Sequence, residues 1–150
     1  MRGRSRLFRL LVVLAGLVAS PLAGGVQAQA FDGLAVLANV RGVESLTRAE
    51  VVQLLRGERA LWAGGTAVTV VLPSARSPFI DRVAREVFGL SRAGLQRYWL
   101  SLVFQGRATP PVQYESAEEM AAFVRRTPGA IAVVTDPVPD GAQSLVIRIR

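Results

Sequence analysis

Apolar runs and amphipathic stretches alternate along the chain and predict a mixed α/β fold. Short apolar runs at 34–40, 68–72 and 130–135 are typical of buried strands. Between these runs, apolar residues recur every three or four positions, which indicates helices. We expect about four strands and four helices, with a final edge strand at 145–149. This alternation predicts a three-layer α/β sandwich with a mostly parallel sheet.

Capping signals mark where several helices begin. Thr47 followed by Glu50, and Ser116 followed by Glu119, match the capping-box pattern, in which each side chain bonds the backbone amide of the other residue. Ser91 is a further N-cap candidate in front of an apolar stripe with helical spacing. These signals predict three helices, each with one buried face.

The segment 68–88 predicts a buried strand, a tight loop and a helix. The strand ends at Pro73, and the apolar spacing of a helix resumes a few residues later. Ser77 is a good N-cap, and Pro78 suits the first helical position because its missing N–H would have no partner there. We therefore expect the helix to begin at Pro78.

The start of that helix is a candidate site for an anion. The amides of Phe79 and Ile80 and the hydroxyl of Ser77 are hydrogen-bond donors at the positive end of a helix, and Arg76 adds a charge beside them. Arg107, in a later loop rich in Gly and Pro, can bind an anion through two hydrogen bonds. The simpler alternative is that Ser77 only caps its helix and that both arginines are solvated.

The first 30 residues have the pattern of a secretory signal peptide. Four arginines precede an apolar run from Leu10 to Val18, and an A-x-A pattern ends at Ala30. The apolar run is short for a membrane span, so we expect cleavage near Ala30 and export to the periplasm, with a retained anchor as the alternative. Residues 31–150 then form a single domain that is long enough to bury a core.

Charge and composition argue against several classes of function. The chain has 18 basic residues, all of them Arg, and 11 acidic ones, which gives +7; without the four arginines of the first 30 residues the balance is 14 minus 11, or +3. This small excess does not indicate a nucleic-acid partner. Because His, Cys and Lys are absent, the commonest catalytic bases and metal ligands are missing. We expect no enzyme activity, no cofactor and no metal; an enzyme that depends on carboxylates alone is a distant alternative.

Four segments, taken in order, resemble the periplasmic phosphate-binding proteins of bacterial ABC importers. They are LTRAEVVQLLRGERALWAGG, VVLPSARSPFIDRVAREVFG, FQGRATPP and TPGAIAVV. In that family the matching pieces are a helix leading to a Gly and a Trp, a strand-loop-helix around a Ser-Gly-Thr phosphate loop, a Phe-x-Gly loop and a Gly-Ala-Ile-Gly-Tyr strand. The resemblance covers about 34–134 and implies one lobe of a type-II periplasmic binding fold.

The resemblance implies an oxyanion site at Ser77 with Arg76, although the chain departs from the family there. Pro78 and Phe79 replace the Gly and Thr that follow the family's serine, which removes one N–H and one hydroxyl. Family members also close two lobes around the anion, and residues 31–150 suffice for one lobe only.

The resemblance therefore implies a phosphate ABC transporter substrate-binding-like protein that binds phosphate or a related oxyanion for uptake or sensing. A membrane permease, another envelope protein or a second copy of the chain is the expected partner. The alternative, which the Pro78 and Phe79 replacements favour, is a ligand-free interaction module in a cell-envelope complex.

Overall fold

The computed structural model describes residues 31–150, so the expected signal peptide at 1–30 lies outside the described residues. Four strands form a central sheet in the spatial order β1-β5-β3-β4, in which β3 runs parallel to β4 and β5, and β1 runs antiparallel to β5. Two further short strands, β2 and β6, pair in parallel beside it. The strands are β1 (Leu34–Ala38), β2 (Ser45–Leu46), β3 (Thr69–Pro73), β4 (Val112–Tyr114), β5 (Ala130–Thr135) and β6 (Arg148–Ile149).

Four α-helices connect or follow these strands. They are α1 (Arg48–Leu55), α2 (Ile80–Val83), α3 (Arg92–Phe104) and α4 (Ala117–Arg126), and α2 continues without a break into a π-helical turn, Ala84–Phe88. Within residues 31–150, none of these helices combines the length and the apolar character that crossing a membrane requires.

The core lies on both sides of the central strand β5. All residues from Ala130 to Val134 are fully buried, as expected for a strand covered on both faces. Helices α1 and α4 each pack against β3 and β5. The expected α/β fold with a mostly parallel sheet is therefore confirmed.

Three of the predicted N-caps, Thr47, Ser91 and Ser116, are confirmed. The Glu50 amide donates to the Thr47 hydroxyl at 3.2 Å, and the Thr47 amide donates to the Glu50 carboxylate at 2.8 Å. The pKa of Glu50 lies below its ordinary value, first because its carboxylate accepts the Thr47 amide and second because it accepts the Thr47 hydroxyl at 2.9 Å. Ser116 and Glu119 form the same reciprocal pair at the start of α4, and Ser91 caps α3. Local sequence therefore determines where these three helices begin.

The prediction that Ser77 caps a helix beginning at Pro78 is wrong. Helix α2 begins at Ile80, and its N-cap residue, Phe79, makes no capping hydrogen bond through its side chain. The Ser77 amide instead donates to the Ser74 carbonyl at 3.0 Å, which closes a turn before the helix. The Ser77 side chain is buried, with only 2% of its surface exposed.

The C-terminal segment does not form the expected edge strand at 145–149. Gln143–Leu145 is a 3-10 turn, and the two-residue strand β6 pairs with β2 instead of the central sheet. The segment still touches β1, because the Ile147 amide donates to the Val36 carbonyl at 2.9 Å. The pattern also does not predict β4, because three residues are too few to show alternation.

Candidate functional site

The parallel strands define two opposite edges of the central sheet. Strands β3, β4 and β5 end together near Pro73, Tyr114 and Thr135, and we call this the carboxyl edge. Their first residues, Thr69, Val112 and Ala130, mark the opposite side, which we call the amino edge. Open α/β sheets bind their ligands at the carboxyl ends of the strands. The carboxyl edge is therefore the candidate site.

A cavity of about 560 Å³ opens at the carboxyl edge, between the start of α2 and the start of α4. Its walls come from the residues around these two helix starts and from the end of β5. They are Pro78, Phe79, Asp81, Arg82, Arg85, Glu115, Ser116, Ala117, Glu118 and Thr135. The cavity thus has charged side chains of both signs.

Two arginines of this cavity have no acidic partner. Arg82 and Arg85 make no ion pair with any carboxylate of residues 31–150. Arg82 extends toward the start of β1, since its Nη1 lies 2.7 Å from the position that a Cβ on Gly33 would take. Arg85 nevertheless lies close enough to Asp81 to help lower the pKa of that carboxyl, so of the two arginines Arg82 is the less engaged.

The loop at 74–79, which leads from β3 to α2, contains a buried hydroxyl without a partner. The Ser77 hydroxyl makes no hydrogen bond within the described part of the chain. The Ser77 carbonyl accepts the Ile80 amide at 3.4 Å, whereas the Phe79 amide makes no backbone hydrogen bond within residues 31–150. Arg76 is exposed and pairs with Glu115, which follows β4, at 2.6 Å. The loop therefore has two hydrogen-bond donors without a partner within residues 31–150, the Ser77 hydroxyl and the Phe79 amide. Its one arginine, Arg76, is already in an ion pair.

Arg92, at the start of α3, ties this loop to α2. Its guanidinium donates to both oxygens of the Asp81 carboxylate, at 3.0 and 2.6 Å, and to the Ala75 carbonyl at 3.1 Å. The hydrogen bond from Arg92 holds the pKa of Asp81 below its ordinary value, and Asp81 raises the pKa of Arg92. This clamp, formed by Arg92, connects the loop at 74–79 to both α2 and α3.

The structure brings four of the five predicted site residues together and separates the fifth. Arg76, Ser77, Phe79 and Ile80 share one loop and helix start at the carboxyl edge. Arg107 lines a different cavity, beside the first residues of β3 and β4. A five-residue strand is about 16 Å long, so Arg107 does not act on an anion bound beside Ser77.

Sequence reasoning missed the other charged groups of the carboxyl edge. Arg82 and Arg85 are exposed and three residues apart on the helix that begins at Ile80, between positions that the apolar spacing assigns to the core. That spacing is a usable signal for two cations on one face. The positions of Glu115 and Arg92 depend on tertiary contacts, so no local pattern predicts them.

Comparison with known proteins identifies the fold through solved structures. No protein-family profile matches the chain, and no curated protein matches it. A phosphate ABC transporter substrate-binding protein from Clostridium perfringens, solved with bound phosphate, has a TM-score of 0.54 at 16% identity, over 79% of this chain and 44% of that one. PstS from Borrelia burgdorferi has a TM-score of 0.57 at 10% identity, over 79% and 47%. An ABC-type phosphate transport receptor from Vibrio cholerae has a TM-score of 0.49 at 17% identity, over 78% and 46%.

The fold is thus similar to that of phosphate ABC transporter substrate-binding proteins, as the resemblance in the sequence implies. At these low identities the likeness establishes the fold alone. The chain spans less than half the length of each of these solved proteins.

Proposed function

We propose that residues 31–150 form one side of a cleft that binds phosphate or a related tetrahedral oxyanion. The observation that supports this most is the buried hydroxyl of Ser77, which has no partner within residues 31–150 and lies in the loop that follows β3 at the carboxyl edge. A buried polar group without a partner costs about 1–3 kcal/mol, so a ligand oxygen that accepts its hydrogen bond recovers that free energy.

Positive charge for the ligand comes from Arg76, Arg82 and Arg85. Arg82 and Arg85 line the cavity without an acidic partner among residues 31–150. Arg76 is engaged by Glu115 at 2.6 Å, so an incoming oxyanion competes with that carboxylate. The Phe79 amide and, after a small opening of the loop, the Ile80 amide complete the set of donors. Arg107 has no part in this site.

The other side of the cleft comes from outside residues 31–150. The chain spans less than half the length of the solved phosphate-binding proteins of the same fold. A second lobe, supplied by a partner or by a second copy of the chain, covers the open cavity. In this proposal the protein is exported to the periplasm through residues 1–30 and serves uptake through a membrane permease, or sensing.

Thermal unfolding in the presence of oxyanions tests the proposal. A ligand that binds with a dissociation constant of about 1 mM adds about 1.4 kcal/mol of stability at 10 mM, which raises the melting temperature of a domain of this size by about 5 to 6 °C. We expect this rise with phosphate or sulfate, and none with chloride at matched ionic strength. Trp62 and Trp99 lie toward the amino edge, so calorimetry is a better probe than tryptophan fluorescence.

Single-residue variants test where the oxyanion binds. Arg76→Ala and Ser77→Ala should abolish the rise caused by the oxyanion, measured within each variant, whereas Arg107→Ala should leave it unchanged. Glu115→Gln should increase it, because the ligand no longer competes with a carboxylate for Arg76. A rise that survives both Arg76→Ala and Ser77→Ala would place the anion elsewhere and contradict the proposed site.

A ligand-free interaction module is the second candidate. Two observations favour it: Arg76 is paired with Glu115, and Phe79, the last residue of the loop at 74–79, is buried. If no oxyanion at 10 mM shifts the melting temperature of the chain, alone or together with its envelope partner, the interaction module is the better explanation.

A further inference from the structure

The outward side of α3 and the loops beside it form a surface that is both basic and apolar. Phe104, Leu100 and Leu61 are 82%, 57% and 55% exposed, and they are three of the four large apolar side chains exposed within residues 31–150. Single exposed apolar residues are ordinary on proteins, but these accompany guanidinium groups. We call the set the basic apolar surface: Arg59, Leu61, Arg97, Leu100, Phe104 and Arg107.

Helix α3 presents part of this surface along one face. Arg97, Leu100 and Phe104 are spaced by three and four residues, which places them on the same side of the helix. Arg107 is fixed just beyond the helix end, because its amide donates to the Leu102 carbonyl at 2.9 Å and the Gly106 amide donates to the Val103 carbonyl at 3.0 Å. Aromatic, aliphatic and cationic groups thus stand next to one another at the end of α3.

Three adjoining hollows connect five of these residues, all but Phe104, and no carboxylate of residues 31–150 lines them. One lies beside Arg59 and Leu61, one beside Arg97 and one beside Leu100, and they share Arg97, Arg107 or Pro110. Their volumes are about 470, 520 and 580 Å³. The cavity at the carboxyl edge, by contrast, has three carboxylates.

The arginines of this surface make no ion pair within the described part of the protein, although Arg59 lies close enough to Glu50 to help lower the pKa of that carboxyl. Arg59, Arg97 and Arg107 make neither an ion pair nor a side-chain hydrogen bond within residues 31–150. The neighbouring Arg56 pairs with Glu58 at 3.1 Å and is therefore not part of the set. The surface therefore carries guanidinium groups that are outside any ion pair within residues 31–150.

We propose that the basic apolar surface docks on an anionic phospholipid bilayer. Phe104 and Leu100 enter the interface between headgroups and acyl chains, and Arg97 and Arg107 bind lipid phosphates beside them. Exposed apolar side chains flanked by cations match this boundary, where negative phosphates lie next to hydrocarbon. The carboxyl edge, at the other end of the sheet, then faces away from the membrane.

A single labelled cysteine tests this proposal locally. Because the chain contains no cysteine, Phe104→Cys gives a unique attachment point for the environment-sensitive fluorophore nitrobenzoxadiazole. Val146→Cys is the matched control, since Val146 is the fourth exposed apolar side chain of the described residues and lies outside this surface. The full chain is mixed with vesicles of phosphatidylglycerol and phosphatidylcholine, or of phosphatidylcholine alone. A local label distinguishes insertion of α3 from binding through residues 1–30.

We expect the emission of the label at position 104 to rise and shift to the blue with the anionic vesicles only, and the label at 146 to stay unchanged. Arg97→Gln together with Arg107→Gln in the Phe104→Cys chain should raise the lipid concentration needed for half the change by about 25-fold. A label at 104 that remains in water, equal responses at 104 and 146, or a response independent of these arginines would each overturn the proposal. The test contains no oxyanion ligand, so its failure leaves the proposed function untouched.

Discussion

The junction around Gly129 at the amino edge and the loop at 74–79 at the carboxyl edge differ in how completely their polar groups are paired. The Gly129 carbonyl accepts hydrogen bonds from the Thr69 amide at 3.0 Å and from the Trp62 indole N–H at 2.9 Å, and the Gly129 amide donates to the Asn39 carbonyl at 2.7 Å. In the loop, the buried Ser77 hydroxyl has no partner within residues 31–150.

The way each region is held in place differs as well. At Gly129 a Cβ would collide with the Ala67 carbonyl oxygen, so the backbones are in close contact. The side-chain contacts of the loop at 74–79 are the exposed ion pair Arg76–Glu115 and the hydrogen bond from Arg92 to the Ala75 carbonyl, and Arg92 itself is held by an exposed ion pair with Asp81. Exposed ion pairs contribute little to stability, so this loop is easier to rearrange. The contrast in pairing is local to Gly129 and Ser77, because the buried Trp99 Nε1, toward the amino edge, also has no hydrogen-bond partner within residues 31–150.

The largest expected effect is at the amino edge. Gly129→Ala should lower the free energy of unfolding by about 3 kcal/mol or more, because the added Cβ meets backbone and the residue has a positive φ of 82°. Urea denaturation measures this. Gly65→Ala is the matched control, with the same φ and nothing within 4 Å of its Cβ, and should cost about 1–2 kcal/mol. Equal losses for the two variants would show that the junction is not tightly packed.

An effect of the opposite sign is expected in the loop. Ser77→Ala should raise the free energy of unfolding by about 1 kcal/mol, because it removes a buried hydroxyl that has no partner among the described residues. Ser91→Ala, the same substitution at the N-cap of α3, should lower it by about 1 kcal/mol. Denaturant titration compares both with the unchanged chain. A loss of stability in Ser77→Ala would mean that the hydroxyl is satisfied and would weaken the contrast between the two regions.

The smallest effect concerns the clamp on the loop. Arg92→Ala should raise the pKa of Asp81 toward its ordinary value, as followed by NMR titration, because the hydrogen bond that contributes most to lowering this pKa is lost. Glu50 is the control. Its pKa is lowered first by the hydrogen bond from the Thr47 amide, so it should be the same in Arg92→Ala as in the unchanged chain. An Asp81 pKa that is unchanged in Arg92→Ala would show that Arg92 does not hold the carboxylate in solution.

The same pair predicts the direction of a pH effect. Because the pKa of Asp81 is lower in the folded protein than in the unfolded chain, its contribution to stability is present above the unfolded pKa and is lost as the pH falls through the folded pKa. The free energy of unfolding of Asp81→Asn should therefore be lower than that of the unchanged chain near neutral pH and equal to it in acid. A difference in the free energy of unfolding that persists below the pKa of Asp81 in the folded protein would contradict this prediction.

Much of the fold follows from short-range patterns. The capping boxes at Thr47 and Ser116 and the N-cap Ser91 are where the sequence predicts them, since each depends on residues three positions apart. The candidate site is only partly predictable. A serine and a proline before an apolar helical pattern indicate a cap, but the turn between Ser74 and Ser77 moves the helix start to Ile80.

The sequence by itself determined the α/β alternation, the main strands and three helix starts, because apolar period and capping act between neighbouring residues. Only the tertiary structure decided that Ser77 is buried, that Arg76 meets Glu115, and that Arg107 lies at the opposite edge from both. These facts depend on strand order and on contacts between distant segments. Helix capping and apolar spacing act between neighbouring residues and do not predict these positions. The direction of a loop is set by the pairing of the strands that flank it, which is a contact between distant parts of the chain.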